Sequence, residues 1–136
     1  MRFSIRMDKE ERVRYWLDLV DYDLDTAETL YNGGRWLYVA FMCHQVIEKV
    51  LKAYWTATQD AEPPYTHNLE RLATGCGLSE EMSEEQLHFI DLMIPMNIEA
   101  RYPSYKEVLS RGLTPDYCRS IIDRTKEMQS WIKSKL

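Results

Sequence analysis

Apolar residues recur at spacings of three and four along most of this chain, the interval that aligns them on one face of a helix. The first such run is Val13, Trp16, Leu17, Val20, Leu24, Ala27 and Tyr31. Asp8 stands ahead of it as an N-cap, with Glu11 three residues on, the order of a capping box. Residues 1–7 read as a short leader. Asn32-Gly33-Gly34 closes the helix, because glycine accepts the left-handed conformation at a helix C-terminus.

The second helix runs from Arg35 to about Gln59 and begins apolar all round, from Trp36 to Cys43. A helix that is apolar on every side is buried on every side. It is therefore either the centre of a bundle or in part a contact with a second copy of the chain. Further on it turns amphipathic: Ile47, Leu51 and Tyr54 continue the core line, and Glu48 and Lys52 are spaced for an i,i+4 pair.

Asp60 to Tyr65 is a loop, since Pro63-Pro64 cannot continue a helix. Thr66 is placed to cap a short helix from His67 to Ala73, which stops at Gly75-Cys76-Gly77. Ser83-Glu84-Glu85-Gln86 is another capping box, and Leu87, Ile90, Leu92 and Ile94 carry a fourth helix that Pro95 ends or kinks. Met96 to Arg101 reads as one more irregular turn, and residues 104–113 as an exposed loop. Thr114-Pro115 opens the last helix, with threonine as N-cap and proline in the first helical position. Five helices, short connections and no strand signal predict an all-α antiparallel up-and-down bundle, one domain over residues 1–136.

The net charge of -5 argues against a general nucleic-acid coat protein. It is unevenly spread. Residues 101–136 carry eight Lys/Arg against four Asp/Glu, whereas residues 1–100 carry nine against eighteen. A basic end on an acidic body suits a phosphate-bearing or complementary protein partner, or solvated helix faces. Cys43, Cys76 and Cys118 follow no paired spacing and fit buried reduced thiols, so a cytoplasmic protein is expected. The apolar stretch of Trp36 to Cys43 is far short of the ~20 residues that cross a bilayer.

Two groupings have chemical potential. Asp18, Asp21, Asp25 and Glu28 form an acidic stripe beside the apolar face of the first helix. A di-metal bundle site wants Glu-x-x-His, which the chain lacks, so the stripe reads as a solvated or interface face and no metal or other cofactor is expected. His44 has Glu48 one turn later. The pair fits a proton carrier with its orienting acid, or a core histidine satisfied by a neighbour.

Gln45 to Ala53 (Gln-Val-Ile-Glu-Lys-Val-Leu-Lys-Ala) resembles the second-helix signature of HEPN domains. Tyr65-Thr66-His67-Asn68-Leu69 is similar to the Thr-His-(Asp/Asn)-Leu element of that family, and Glu99-Ala100-Arg101-Tyr102-Pro103 to its Ala-Arg-Tyr-Pro element. The three stand in the family's order and span most of the chain. The resemblance implies a five-helix bundle that works as a homodimer and associates with nucleic acid or nucleotides. Some HEPN proteins are ribonuclease toxins of toxin–antitoxin pairs, and others are partners of minimal nucleotidyltransferases.

The ribonuclease members carry an Arg followed, after four to six residues, by a His. Arg101 stands where that Arg falls, but Lys106, Glu107 and Val108 occupy the histidine positions. The expected function is thus a non-catalytic homodimeric module that binds a nucleotide, RNA or a cognate nucleotidyltransferase. Its candidate ligand-facing residues are Lys49, Lys52, Arg101, Tyr102, Tyr105 and Lys106, since phosphates take cations and bases take aromatic faces. The two lysines equally fit a solvated helix face. One alternative is a ribonuclease with an altered site around Arg101, where Tyr102, Tyr105 or Lys106 would take the histidine's part in proton transfer, with His44 a separate catalytic candidate. Another is a purely structural subunit whose acidic stripe meets a basic partner.

Overall fold

The computed structural model describes residues 7–98 and 103–136. Among them the secondary structure is helical throughout: α1 (Lys9–Asn32), α2 (Trp36–Thr58), α3 (Leu69–Gly75), α4 (Glu84–Met93), α5 (Pro103–Arg111) and α6 (Pro115–Lys133). Short 3-10 turns at Leu78–Glu81 and Ile94–Met96 flank α4. The all-α bundle follows the apolar periodicity, with one helix more than the pattern predicts.

That helix is α5, where the sequence reads as a loop. Pro103 looks like a terminator, yet proline also fits the first turn of a helix, where its missing N–H costs nothing. Leu109 packs this helix against the core, and Glu107 lies 3.6 Å from Arg111 as an exposed i,i+4 pair. None of its residues is buried, so no strict core line announces it.

Three of the predicted caps form as read. Asp8 accepts from the Glu11 N–H at 2.8 Å, Ser83 and Gln86 exchange reciprocal bonds of 3.1 and 2.9 Å, and Thr114 accepts from the Tyr117 N–H at 3.2 Å. At the end of α1 the left-handed residue is Gly34, at φ 70°, rather than the cap Gly33. The third helix starts later than expected. Asn68 is its cap, accepting from the Arg71 N–H at 3.0 Å, while Thr66 supports the turn ahead of it.

Helix α2 is the bundle centre. Val39, Ala40, Cys43, Val46, Ile47, Val50 and Leu51 are fully buried between α1 on one side and α6 on the other. The expected all-round burial of its first half is only partial: Tyr38 is 43% exposed, and Trp36, Leu37, Phe41 and Met42 are half-buried. The three cysteines are buried thiols, and burial pushes Cys43 up to about 12, which keeps it protonated. Among the described residues no helix is long and apolar enough to cross a membrane.

The acidic stripe of α1 and the basic C-terminal helix largely answer each other. Glu28 accepts two hydrogen bonds from Arg119, at 2.9 and 2.6 Å, and lies 2.8 Å from Lys126. Asp21 pairs with Lys133 at 2.8 Å. Asp18 and Asp25 stay exposed. Arg119 also lies 4.9 Å from the centre of the Tyr31 ring, a cation–π contact that fixes the guanidinium.

The Arg119 bonds, against an opposing desolvation, hold the Glu28 carboxyl at about 2 instead of the ordinary 4.5. A carboxylate whose folded pKa is depressed stabilises the fold fully above its unfolded pKa and loses that contribution as pH falls through the folded value. The window here runs from about pH 4.5 down to about pH 2. Allowing for partial solvent screening, the contribution is about 1–2 kcal/mol. Urea unfolding across that window should therefore show a shallower loss of stability for Glu28→Gln than for the native chain. Parallel curves would remove the Glu28–Arg119–Lys126 cluster from the acid response.

Candidate functional site

Three successive turns of α2 place His44, Glu48 and Lys52 in line, with Lys49 beside them. Glu48, Lys49 and Lys52 of this group face α1 and the turn Tyr65–His67, and together they border a cleft of about 300 Å³. Trp16 and Leu19 of α1, Gln45 of α2 and Tyr65 line it with the charged residues.

Glu48 is the hub. It is 3% exposed, and its two oxygens are divided between two partners. Oε2 accepts from Lys52 Nζ at 3.1 Å, and Oε1 lies 2.9 Å from His67 Nδ1. His44 Nδ1 is 4.0 Å from the same oxygen, beyond hydrogen-bond reach. Of the two readings of His44, its burial fits the core histidine, lying at ion-pair rather than hydrogen-bond distance from Glu48. His44 is itself only 1% exposed, so it does not face an open cleft.

Neither lysine sits on a solvated face. Lys52 is 7% exposed, with its ammonium 5.5 Å from the Trp16 ring centre and against Glu48. A buried ammonium is tolerable only when paired and hydrogen-bonded in this way. Lys49 donates to Asp23 of α1, and Asp23 is buried. Asp23 interrupts the core line Trp16–Val20–Asp23–Ala27, whose members are all buried. A carboxylate at core spacing was the signal, in the sequence, that a buried cation had to meet it.

The turn that carries His67 is fixed at both ends. Trp55 Nε1 donates to the Ala61 carbonyl at 3.2 Å, and its ring packs on Gly75, where an added Cβ would come within 2.5 Å of it. Pro63-Pro64 keeps the segment extended, the Thr66 N–H donates to the Pro64 carbonyl at 2.9 Å, and the Asn68 N–H to Thr66 Oγ1 at 3.1 Å. Leu69 then plunges into the core, with no exposed surface. Tyr65, 90% exposed, is left standing at the mouth of the cleft.

The structure thus unites Lys49 and Lys52 from the predicted ligand-facing set. Tyr105 and Lys106 lie on α5 and do not line this cleft, and Arg101 and Tyr102 lie outside the described residues. It adds Trp16, Tyr65 and His67 to the cleft, and Asp23 as the partner of Lys49. The cleft offers two ammonium groups, an imidazole and an exposed phenol ring within one frame. That set can hold an anionic group and an aromatic one together.

Comparison with known proteins agrees with this architecture. Residues 13–135 match the HEPN domain family model. The fold is similar to that of the protein TT1696 from Thermus thermophilus, with a TM-score of 0.77, 19% identity, and coverage of 92% of this chain and 98% of that one. At that identity the likeness is one of fold. No curated protein matches the chain.

Proposed function

Since the chain belongs to the HEPN domain family, we propose that it is a homodimeric binding module for a nucleotide or a short RNA segment, seated in the cleft between α1, α2 and the Tyr65–His67 turn. The observation that carries this reading is the gathering of Lys49, Lys52 and the exposed Tyr65 on one cleft. Phosphate takes the ammonium groups, and a base takes the aromatic face. Because Asp23 and Glu48 already balance the lysines, the ligand is recognised by fixed geometry more than by net charge.

The homodimer draws support from the first half of α2. Tyr38 and Phe41 pack edge to face at 6.4 Å and remain partly exposed, an aromatic surface of the kind that interfaces favour.

Thermal shift with mononucleotides and short RNA, alongside light scattering, tests both parts. A ligand at a hundred times its dissociation constant adds about 2.7 kcal/mol, a rise of several degrees. Tyr65→Ala should leave the unliganded melting temperature unchanged, because the ring is exposed, and should abolish most of the rise. A dimer with no nucleotide response would shift the function to a protein partner such as a nucleotidyltransferase. A monomer at micromolar concentration would overturn the dimer.

A further inference from the structure

We propose that His67 is a recognition residue of this cleft, held by Glu48 in the tautomer that presents Nε2 as a hydrogen-bond acceptor to a sugar hydroxyl of the bound nucleotide. The inference rests on the nucleotide reading above and names a contact that the family resemblance does not supply.

The tautomer follows from the bonding around Glu48. Its Oε2 receives a hydrogen bond from the Lys52 ammonium, and the pair is buried, so Glu48 is a carboxylate with no proton to give. The 2.9 Å contact between Oε1 and His67 Nδ1 must then be donated by the imidazole. In the singly protonated ring, with that proton on Nδ1, the lone pair lies on Nε2. The His67 side chain is 60% exposed at the rim of the cleft, whereas Glu48 is 4% exposed beneath it. A buried acid thereby orients a solvent-facing base, and the turn through Thr66 and Asn68 fixes the ring's approach.

The donor that fits Nε2 follows from the neighbours. Tyr65 offers a face for the base, and Lys49 and Lys52 offer charge for the phosphate. The group that joins base to phosphate is the sugar, and its hydroxyls are neutral donors suited to a neutral acceptor.

His67→Asn separates this role from a structural one. The asparagine amide can replace the Nδ1–H donor to Glu48 but has nothing in the place of Nε2. The full chain would be titrated with adenosine 5′-monophosphate and with its 2′,3′-dideoxy counterpart, and imidazole nitrogen shifts would be recorded by NMR. The expected result is an Nδ1–H tautomer for His67, and a preference of the native protein for the ribonucleotide of about tenfold, in keeping with one good hydrogen bond. His67→Asn should melt as the native protein does and bind the two nucleotides equally. Retention of the ribose preference by His67→Asn, or a ring that is Nε2–H or protonated on both nitrogens, overturns the proposal while leaving the cleft a nucleotide site. Absence of binding by either nucleotide to the native protein overturns the cleft reading and this inference together.

Discussion

Glu48→Ala should destabilise the protein by about 3–5 kcal/mol, the cost of stranding one member of a buried ion pair. The residue is 3% exposed, and its removal leaves the Lys52 ammonium in a site of low polarity against the Trp16 ring. It also releases His67 from its 2.9 Å anchor, so the turn at the cleft mouth loosens. For a chain of this size the melting temperature should fall by roughly 10–20 °C. The double variant Glu48→Ala/Lys52→Ala isolates the cause. If the stranded ammonium dominates, removing it should recover a large part of the loss, a coupling that urea unfolding of the four species measures. A double variant no more stable than Glu48→Ala would place the cost in lost packing instead.

The second large effect is expected at Leu69. This side chain has no exposed surface, and it is the first residue after the Asn68 cap, so it ties α3 and the preceding turn to the core. Leu69→Ala should cost about 2–5 kcal/mol, the range for emptying a leucine site in a core that relaxes only in part. Because the anchor lies two residues beyond His67, limited proteolysis should find the segment 59–68 more readily in the variant than in the native chain. A loss below about 1 kcal/mol would mean that the neighbours close over the void, and Leu69 would not be what holds the turn.

What could be read in advance follows from how each feature is written in the chain. Helix starts at Asp8, Ser83 and Thr114 are local chemistry, a side-chain oxygen meeting a backbone N–H three residues on, and they formed where the residues said. At Thr66 and Asn68 two such oxygens compete within three residues, and local rules do not choose between them. Helix α5 escaped because Pro103 is ambiguous between stopping one helix and starting another. The candidate site was legible by halves. Lys49 and Lys52 were visible as cations on α2, but their partners lie elsewhere. Asp23 is 26 residues from Lys49, and His67 is 19 residues from Glu48. Pairings of that range depend on how α1 and the loop pack, which periodicity does not specify.

The closure of charge between α1 and α6 bears on how any polyanion would meet this protein. Affinity for nucleic acid rises when cations displace the counterions condensed on phosphates, and each such contact steepens the dependence on salt. Arg119 and Lys126 already face Glu28, Lys133 faces Asp21, and Lys135 faces Glu81 at 3.0 Å. These four side chains already face acids within the fold, so that share of the basic end's charge is answered before a polyanion arrives. An RNA seated in the proposed cleft should therefore release few ions there and depend only weakly on salt. On the proposed function, a short segment of such a molecule would be the better ligand than a long one.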